Sequence, residues 1–495
     1  MDLIELAKRR GFFWPSSLIH GSLAGFYDYG HVGTLVKRKW EDLWRGFFLR
    51  LGESFYEISP SVIMPEQVFK ASGHLESFVD PIVKCKKCGN VERADHILED
   101  LLKENFEGLS TTELDSIIRK HNIKCEKCSG PLEEVAEINM TFPLKVGTGN
   151  EARNAYLTPE TAQGAYVDFK QMFEVLRKKL PMGLAVVGKA FRNEISPRNA
   201  LIRMREFSQA ELQVFFDPQE IGKHSRFKEV ESHKLRVFPV KERKENKTKE
   251  MTCKELAKTL PEFYVYHLAK VQEFYLEAVG IPKEKFRLKE LSQEEKAFYN
   301  KFHWDAELEL SLGWKEVGGV HYRADHDLSR HEKVSGESMS VTLEDRKFIP
   351  HVLEISMGVD RNIFALLDIF AREEKERTVL GFPRHLSPFD AAVFPLVNKG
   401  GLPEKACEVK TLLEKEGFTT FFDSSGSIGR MYRRMDEIGG VACITIDYDS
   451  LTQEDVTLRD RDSMKQIRVK IKDLPQVLTC FLQGEKLGKL GKIIN

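Results

Sequence analysis

The residues best equipped for chemistry lie in two segments. Phe191-Arg192-Asn193-Glu194 is followed, after a polar stretch, by Ile202-Arg203-Met204-Arg205-Glu206-Phe207. The flanking runs GLAVVGKAFRNEI and LIRMREFSQAELQVFF predict an antiparallel pair of strands. Alternate strand residues face one side, so Arg192 and Glu194 share a face, and Arg203 and Phe207 can share one on the return. Arginine is a planar donor fork for phosphate and phenylalanine a surface for a base. Glutamate accepts from an exocyclic amine or a sugar hydroxyl. A nucleotide site would use this set; so would a surface sheet with cross-strand ion pairs. The second segment is Glu354-Ile355-Ser356-Met357-Gly358-Val359-Asp360-Arg361. A strand reaching Ser356, a turn at Gly358 and a helix opening near Arg361 would aim backbone donors and a guanidinium at an anion. An ordinary strand-to-helix joint would look the same.

Four of the eight cysteines form two CxxC pairs, Cys85/Cys88 and Cys125/Cys128. Two such knuckles suit tetrahedral Zn²⁺ held by four thiolates, a structural site with no open position. Reduced thiols without metal, or a redox pair, are the alternatives. The cysteine usage points to a reducing compartment rather than a disulfide framework.

The elements that must carry these residues follow from the rest of the 495-residue chain. With 41% hydrophobic residues it can build sizeable cores, which excludes disorder over most of its length. Lysine plus arginine number 75 against 76 acids, so no global positive field marks a nucleic-acid binder, and any such contact must use local patches. No apolar run is long enough for a membrane span and the N-terminus lacks the apolar core of a signal peptide, so a cytoplasmic protein is expected. A helix is predicted over Gly33–Leu51. Residues 220–304 are rich in Lys, Glu and aromatics with helical periods and predict an inserted helical module. A boundary falls near Phe382–Pro388. Beyond it, strand and helix patterns alternate, which predicts a mostly parallel sheet over 385–485, then a short tail, 486–495.

Taken together, the two opening segments resemble motifs two and three of class II aminoacyl-tRNA synthetases. The resemblance narrows further. Thr158-Pro159-Glu160-Thr161-Ala162-Gln163-Gly164, Phe191 to Leu212, Lys70-Ala71-Ser72-Gly73-His74, Arg93-Ala94-Asp95 and Ser424 to Gly439 are similar to strings of the homodimeric glycyl-tRNA synthetase family, from about residue 5 to residue 475. Two places depart from its pattern. Glu354-Ile355-Ser356-Met357-Gly358 stands where the family usually has Glu-Pro-Ser-Phe-Gly. Gly319-Val320-His321-Tyr322-Arg323 stands where it often has Gly-Ile-Ala-Asp-Arg.

The resemblance implies a mixed α/β fold: an antiparallel-sheet catalytic core over 1–84, 129–219 and 305–384, interrupted by the four-cysteine zinc insertion at 85–128 and the helical insertion, and an anticodon-binding domain at 385–485. From their place beside the active-site strand, the helices of the four-cysteine insertion are expected to approach the tRNA acceptor arm. In the anticodon-binding domain Arg430, Tyr432, Arg433 and Arg434 offer phosphate contacts and a stacking ring. It implies ATP-dependent activation of glycine and its transfer to tRNA-Gly by a homodimer dimerising near Trp40–Pro65. Arg192, Glu194 and Arg361 would be catalytic. ATP would lie against these with Asn193, Ile202, Arg203, Met204, Phe207, Glu316, Val317 and Gly358. Mg²⁺ would bridge the phosphates, with Glu316 and Glu354 as candidate contacts. Glu160, Glu211, Glu354 and Ser356 would surround the glycine ammonium, with Arg93 or Arg323 facing its carboxylate. Glutamates filling the space around the α-carbon would leave no room for a side chain, so no editing domain is expected. A synthetase for another small amino acid, an RNA-binding subunit that has lost catalysis and a nucleotide-polyphosphate synthase are the rivals. The glutamate set argues against the first, and retention of Arg192, Glu194 and Arg361 against the second.

Overall fold

The computed structural model describes residues 2–494 apart from 103–105, 107, 246 and 297–299. It forms two compact units. One comprises Ser17–Tyr27 and Trp44–Asn362; the other comprises Met1–Ser16, Asp28–Leu43 and Ile363–Asn495. The first N-terminal segments, expected with the catalytic core, therefore belong with the C-terminal residues. Phe12 shows why: its carbonyl accepts from Gly30 N and its ring meets that of Phe382 edge-on.

The first unit is built on a nine-stranded sheet. Its strands are β1 (Phe55–Glu57), β2 (Met182–Phe191), β3 (Glu206–Phe216), β4 (Lys234–Phe238), β5 (Lys249–Thr252), β6 (Phe286–Glu290), β7 (Phe302–Leu310), β8 (Gly313–Ala324) and β9 (His351–Gly358). They lie in the order β5-β4-β6-β7-β8-β9-β3-β2-β1. All neighbours are antiparallel except β1 with β2 and β4 with β6.

The stretch 220–304 corrects the expectation of a helical module. It supplies β4, β5 and β6 to this sheet, besides the helix Glu262–Glu273. Leu235, Val237, Phe286 and Leu288 are fully buried at every second position, and the Lys and Arg residues between them mimic a charged helix face. Residues 246 and 297–299 of this stretch lie outside the described residues.

Between β1 and β2 an insert forms its own three-stranded sheet, Val79–Lys84, Val91–Arg93 and Ala136–Asn139, with helices α1 (Ala94–Leu102) and α2 (Thr111–Lys120). Val83, Ala94, Ile97, Leu98, Leu114 and Ile118 make its core. Ser110 and Glu113 exchange side-chain-to-backbone bonds at the start of α2, a capping box that fixes where the helix begins. Helix α3 (Ala162–Val175) carries Ala162, Ala165, Tyr166, Phe169 and Phe173 on one face and packs them against Leu184 and Phe215 of the large sheet. Strand β9 runs through Gly358 straight into helix α4 (Val359–Phe370), so the strand and helix expected there are present but the separate turn at Gly358 is not, and Arg361 stands in the first turn of the helix.

The second unit holds a five-stranded sheet of β10 (Ala391–Pro395), β11 (Thr420–Phe422), β12 (Ala442–Ile446), β13 (Asp455–Asp460) and β14 (Gln466–Lys470), ordered β11-β10-β12-β13-β14. The first three strands are parallel, as the alternating pattern predicts, and β13 and β14 return antiparallel, so the sheet is mixed rather than mostly parallel. Asp436, fully buried, accepts from Arg377 at 3.0 Å and Arg459 at 3.1 Å. Tyr432, expected as an open stacking ring, hydrogen-bonds Thr445 at 2.6 Å and lies under the Arg459 guanidinium, so it is part of the packing. Arg434 is bound to Asp423.

Candidate functional site

The register of β3, β9, β8 and β7 decides which residues meet. Gln213, Glu354, His321 and His303 form one lateral row; Glu211, Ser356, Gly319 and Asp305 form the row beside it. All lie on the same sheet face, because rows two residues apart share a face. That face lines a cavity of about 230 Å³. Among the residues expected at a site, Glu160, Arg192, Glu194, Ile202, Arg203, Met204, Phe207, Glu211, Glu316, Val317, Arg323, Glu354, Ser356, Gly358 and Arg361 all line it.

Two expected residues do not. Arg93 spends its guanidinium on Asp80 at 2.7 Å and on Asp95 at 3.0 and 2.5 Å, inside the insert. Asn193 follows the end of β2, and its backbone N–H donates to the Met140 carbonyl. β2 ends at Phe191, so Arg192 and Glu194 lie past the strand rather than on it. Arg205 holds both: its carbonyl accepts from Arg192 N at 2.9 Å and its Nε donates to the Glu194 carbonyl at 2.9 Å.

At one end of the cavity three acids converge. Glu211 accepts from the Thr161 hydroxyl and from the Ser356 hydroxyl, each at 2.7 Å. Glu354 Oε2 accepts from Gln213 at 2.9 Å and from Tyr166 and Arg323 at 3.2 Å each. Glu160 accepts from Gln163 at 2.9 Å and faces His74 at 3.7 Å. Burial, then Glu354 and Glu160, pushes Glu211 up to about 8, and burial likewise raises Glu354. Burial works against ionisation of Glu160 too, but His74, Arg323 and Gln163 outweigh it and hold that carboxyl well below the usual range. The cation shared by Glu354 and Glu160 is Arg323, which grips Asp327 with two nitrogens at 2.7 and 2.8 Å, reaches Glu354 with a third and stands 4.0 Å from Glu160. The corner is thus short of positive charge in the shape of a small cation.

At the other end the groups are cationic and aromatic. The Arg192 guanidinium lies 5.3 Å from the centroids of both Phe78 and Phe207. Arg361 donates to the Ile202 carbonyl at 3.0 Å and to Glu316 Oε2 at 3.1 Å. Asp360 takes the Ser208 backbone N–H, and the Asn362 amide bridges the Val317 and Gly358 carbonyls, so the turn that presents Arg361 is pinned to both flanking strands. Anion-binding arginines with an aromatic face at one end, and a buried acidic corner at the other, suit a ligand carrying phosphate on one side and ammonium on the other.

Sequence reasoning missed several contributors. Thr161, Gln163, Tyr166 and Gln213 orient the three acids. Asn300, His303 and His321 also line the cavity, the two imidazoles 3.9 Å apart. Their signal is period two: His321 stands two residues before Arg323, and His303 pairs with it across β7 and β8.

The four CxxC sulfurs all lie within 4.8 Å of one another, with Cys85–Cys128 at 3.5 Å and Cys88–Cys125 at 3.7 Å. Zn–S bonds of about 2.3 Å place tetrahedral sulfurs about 3.8 Å apart, so the set fits zinc. Each knuckle closes on a residue of positive φ, Gly89 and Ser129, whose N–H returns to the first cysteine's carbonyl.

The fold and the site define a class of protein. A family described as "tRNA synthetase class II core domain (G, H, P, S and T)" matches residues 144–370, and one described as "Anticodon binding domain" matches residues 390–481. The antiparallel sheet and the cavity on its face are the core of a class II tRNA synthetase. The chain is 39% identical to glycine–tRNA ligase of Pyrococcus abyssi over 97% of its own length and 98% of that protein. To the ligase of Aeropyrum pernix it is 38% identical over 99% and 98%. The chain belongs to the glycine–tRNA ligase family. Among the described residues no helix is long and apolar enough to cross a membrane.

Proposed function

We propose that this ligase runs both half-reactions in the cavity on the large sheet. Glycine's carboxylate oxygen attacks the α-phosphorus of ATP and pyrophosphate leaves. The terminal ribose hydroxyl of tRNA-Gly then attacks the glycyl carbonyl and AMP leaves. The carboxylate is already ionised at neutral pH, so the first step needs no general base, and catalysis rests on positioning and charge neutralisation.

The observation that carries this reading is the polarity of the cavity. The ammonium of glycine enters the corner of Glu160, Glu211, Glu354 and Ser356, which directs the carboxylate toward Arg192 and the α-phosphate. Arg361 takes the γ-phosphate, Phe207 stacks on adenine and Glu194 meets its edge. Glu194 Oε2 is buried with no hydrogen-bond partner among the described residues, which suits an amine donor. Mg²⁺ accompanies ATP and spreads the phosphate charge, with Glu316 the better placed carboxylate: Glu354 already holds three donors on one oxygen. Arg323 acts through the acids it orients. Structural Zn²⁺ fills the four-cysteine cluster, and free cysteines suit a reducing cytoplasm. The C-terminal unit reads the anticodon, with Arg430 and Arg433 as candidate phosphate contacts. The active form is a homodimer joined beside β1, the terminal strand of the large sheet.

Amino-acid-dependent exchange of pyrophosphate into ATP tests the reading directly. Exchange with glycine, and none with alanine or serine, is expected. No exchange with any of the three, on zinc-replete folded protein supplied with tRNA, would overturn it.

A further inference from the structure

The insert touches the cavity wall from behind. Arg203 lines the cavity, and its Nη1 lies 3.1 Å from Nε2 of His96, the third residue of α1. A guanidinium only donates, so Nε2 must be the acceptor and the imidazole neutral, with its proton on Nδ1. Burial and the nearby Arg93 keep it neutral, pulling it down to about 4. The Glu194 carboxylate stands 3.8 Å from Arg203, too far for a hydrogen bond. The same helix holds the same loop at a second point, where Asp100 lies 3.5 Å from Arg198.

What holds α1 is the insert itself. Strand Val91–Arg93 runs without a break into α1, and the first CxxC knuckle immediately precedes that strand. Cys85 N donates to the Asn90 carbonyl and Lys86 N to the Pro131 carbonyl, so both knuckles are stitched to the base of the insert's sheet. Ala94, Ile97 and Leu98 of α1 pack on Leu114 and Ile118 of α2 in the insert's core. A module this small owes much of its stability to such a staple.

We propose that His96 is a positioning residue that fixes the Arg203 guanidinium toward ATP, and that the four-cysteine cluster, by holding the insert folded, sets how tightly ATP binds. The proposal rests on reading the cavity as the ATP site. It makes the insert a support for the nucleotide half of the cavity, with no contact of its own to glycine.

The test uses the full-length, zinc-replete enzyme and follows KM for ATP, KM for glycine and kcat in glycine-dependent pyrophosphate exchange. It also follows binding of a non-hydrolysable ATP analogue by calorimetry, and zinc content by atomic absorption. His96→Ala should raise the KM for ATP and the analogue Kd about tenfold, the scale of one lost hydrogen bond to a charged group, with KM for glycine, kcat and zinc content unchanged. His96→Gln, which keeps an acceptor, should recover most of the loss. Cys125→Ser should lose zinc and weaken analogue binding at least as much, and adding His96→Ala to it should cost nothing more. Should Cys125→Ser fail to fold, the His96 variants and chelator-treated wild type carry the same comparison. If Arg203→Ala weakens analogue binding while His96→Ala does not, the proposal fails and the cavity reading stands. If Arg203→Ala leaves ATP binding unchanged, the cavity reading itself fails.

Discussion

Ser356 and Glu211 stand opposite each other on adjacent strands, and the Ser356 hydroxyl donates to Glu211 Oε1 at 2.7 Å. The hydroxyl of Thr161 takes the other oxygen, so this carboxyl is held by two neutral donors rather than by a cation. With Glu160 and Glu354 beside it, full ionisation of the corner needs more positive charge than Arg323 supplies. A bound ammonium completes it.

The first prediction follows from that deficit. Glu211, pushed up to about 8, binds more protons folded than unfolded between its unfolded value of about 4.3 and that point. Stability of the ligand-free protein should therefore fall as pH rises through that window. Glu211→Gln should melt with a flatter pH profile there. Glycine binding to the wild type should release protons near pH 7, read by calorimetry in buffers of different ionisation heat; zero release would contradict the assignment.

Arg361 reaches the cavity from a turn pinned by Asp360 and Asn362, so its removal should disturb chemistry more than fold. Arg361→Met should lower kcat/KM for pyrophosphate exchange by about 10²–10³. Circular dichroism should show an unchanged fold.

Arg323 is 4% exposed and is shared by Asp327 and Glu354. Arg323→Met strands two buried carboxylates and should cost about 3–5 kcal/mol in urea unfolding. Arg323→Lys keeps the charge but not the fork that spans both Asp327 oxygens, and should recover only part of it.

At Gly130 an added Cβ would stand 3.0 Å from Cys85 Sγ and 3.2 Å from Cys128 Sγ. Gly130→Ala should therefore crowd the cluster and lower zinc content after dialysis. Ser129→Gly, which relieves a residue at φ 53°, should not. Equal zinc in both variants would mean the knuckle yields freely.

In the second unit Asp436 compensates Arg377 and Arg459. Asp436→Ala should destabilise by several kcal/mol in chemical unfolding, since the buried Arg459 loses its carboxylate and Arg377 is left with Glu374 alone as its acid. Glycine-dependent exchange should outlast tRNA charging as denaturant is raised.

Much of the site was legible because local pattern and chemistry coincide there. Arg192, Phe207 and Arg361 flank clear strands or a strand-to-helix joint, and the CxxC pairs announce themselves by spacing. His303 and His321 were not legible as a pair: they share a row only through pairing of β7 with β8, His303 sits in no motif, and His321 stands where its string departs from the family pattern. Arg93 misled for the opposite reason. It belongs to a matching string, yet Asp80, 13 positions before it, claims one of its nitrogens. In β4 and β6 charged residues alternate with the buried apolar ones, so composition hid the period of two. Residues 1–16 gave no sign of which unit they join, since that depends on Phe12 meeting Phe382.

The acidic corner is written on consecutive rows of a paired sheet, and this fixes what kinds of change the gene can absorb. A substitution in β3 or β9 alters one side chain. A single-codon deletion there moves every later side chain to the opposite face and exchanges Glu211 or Glu354 for an apolar neighbour, Leu212 or Ile355. Length variation among descendants of this chain should therefore collect in its loops and be absent from the strands that carry the glutamates.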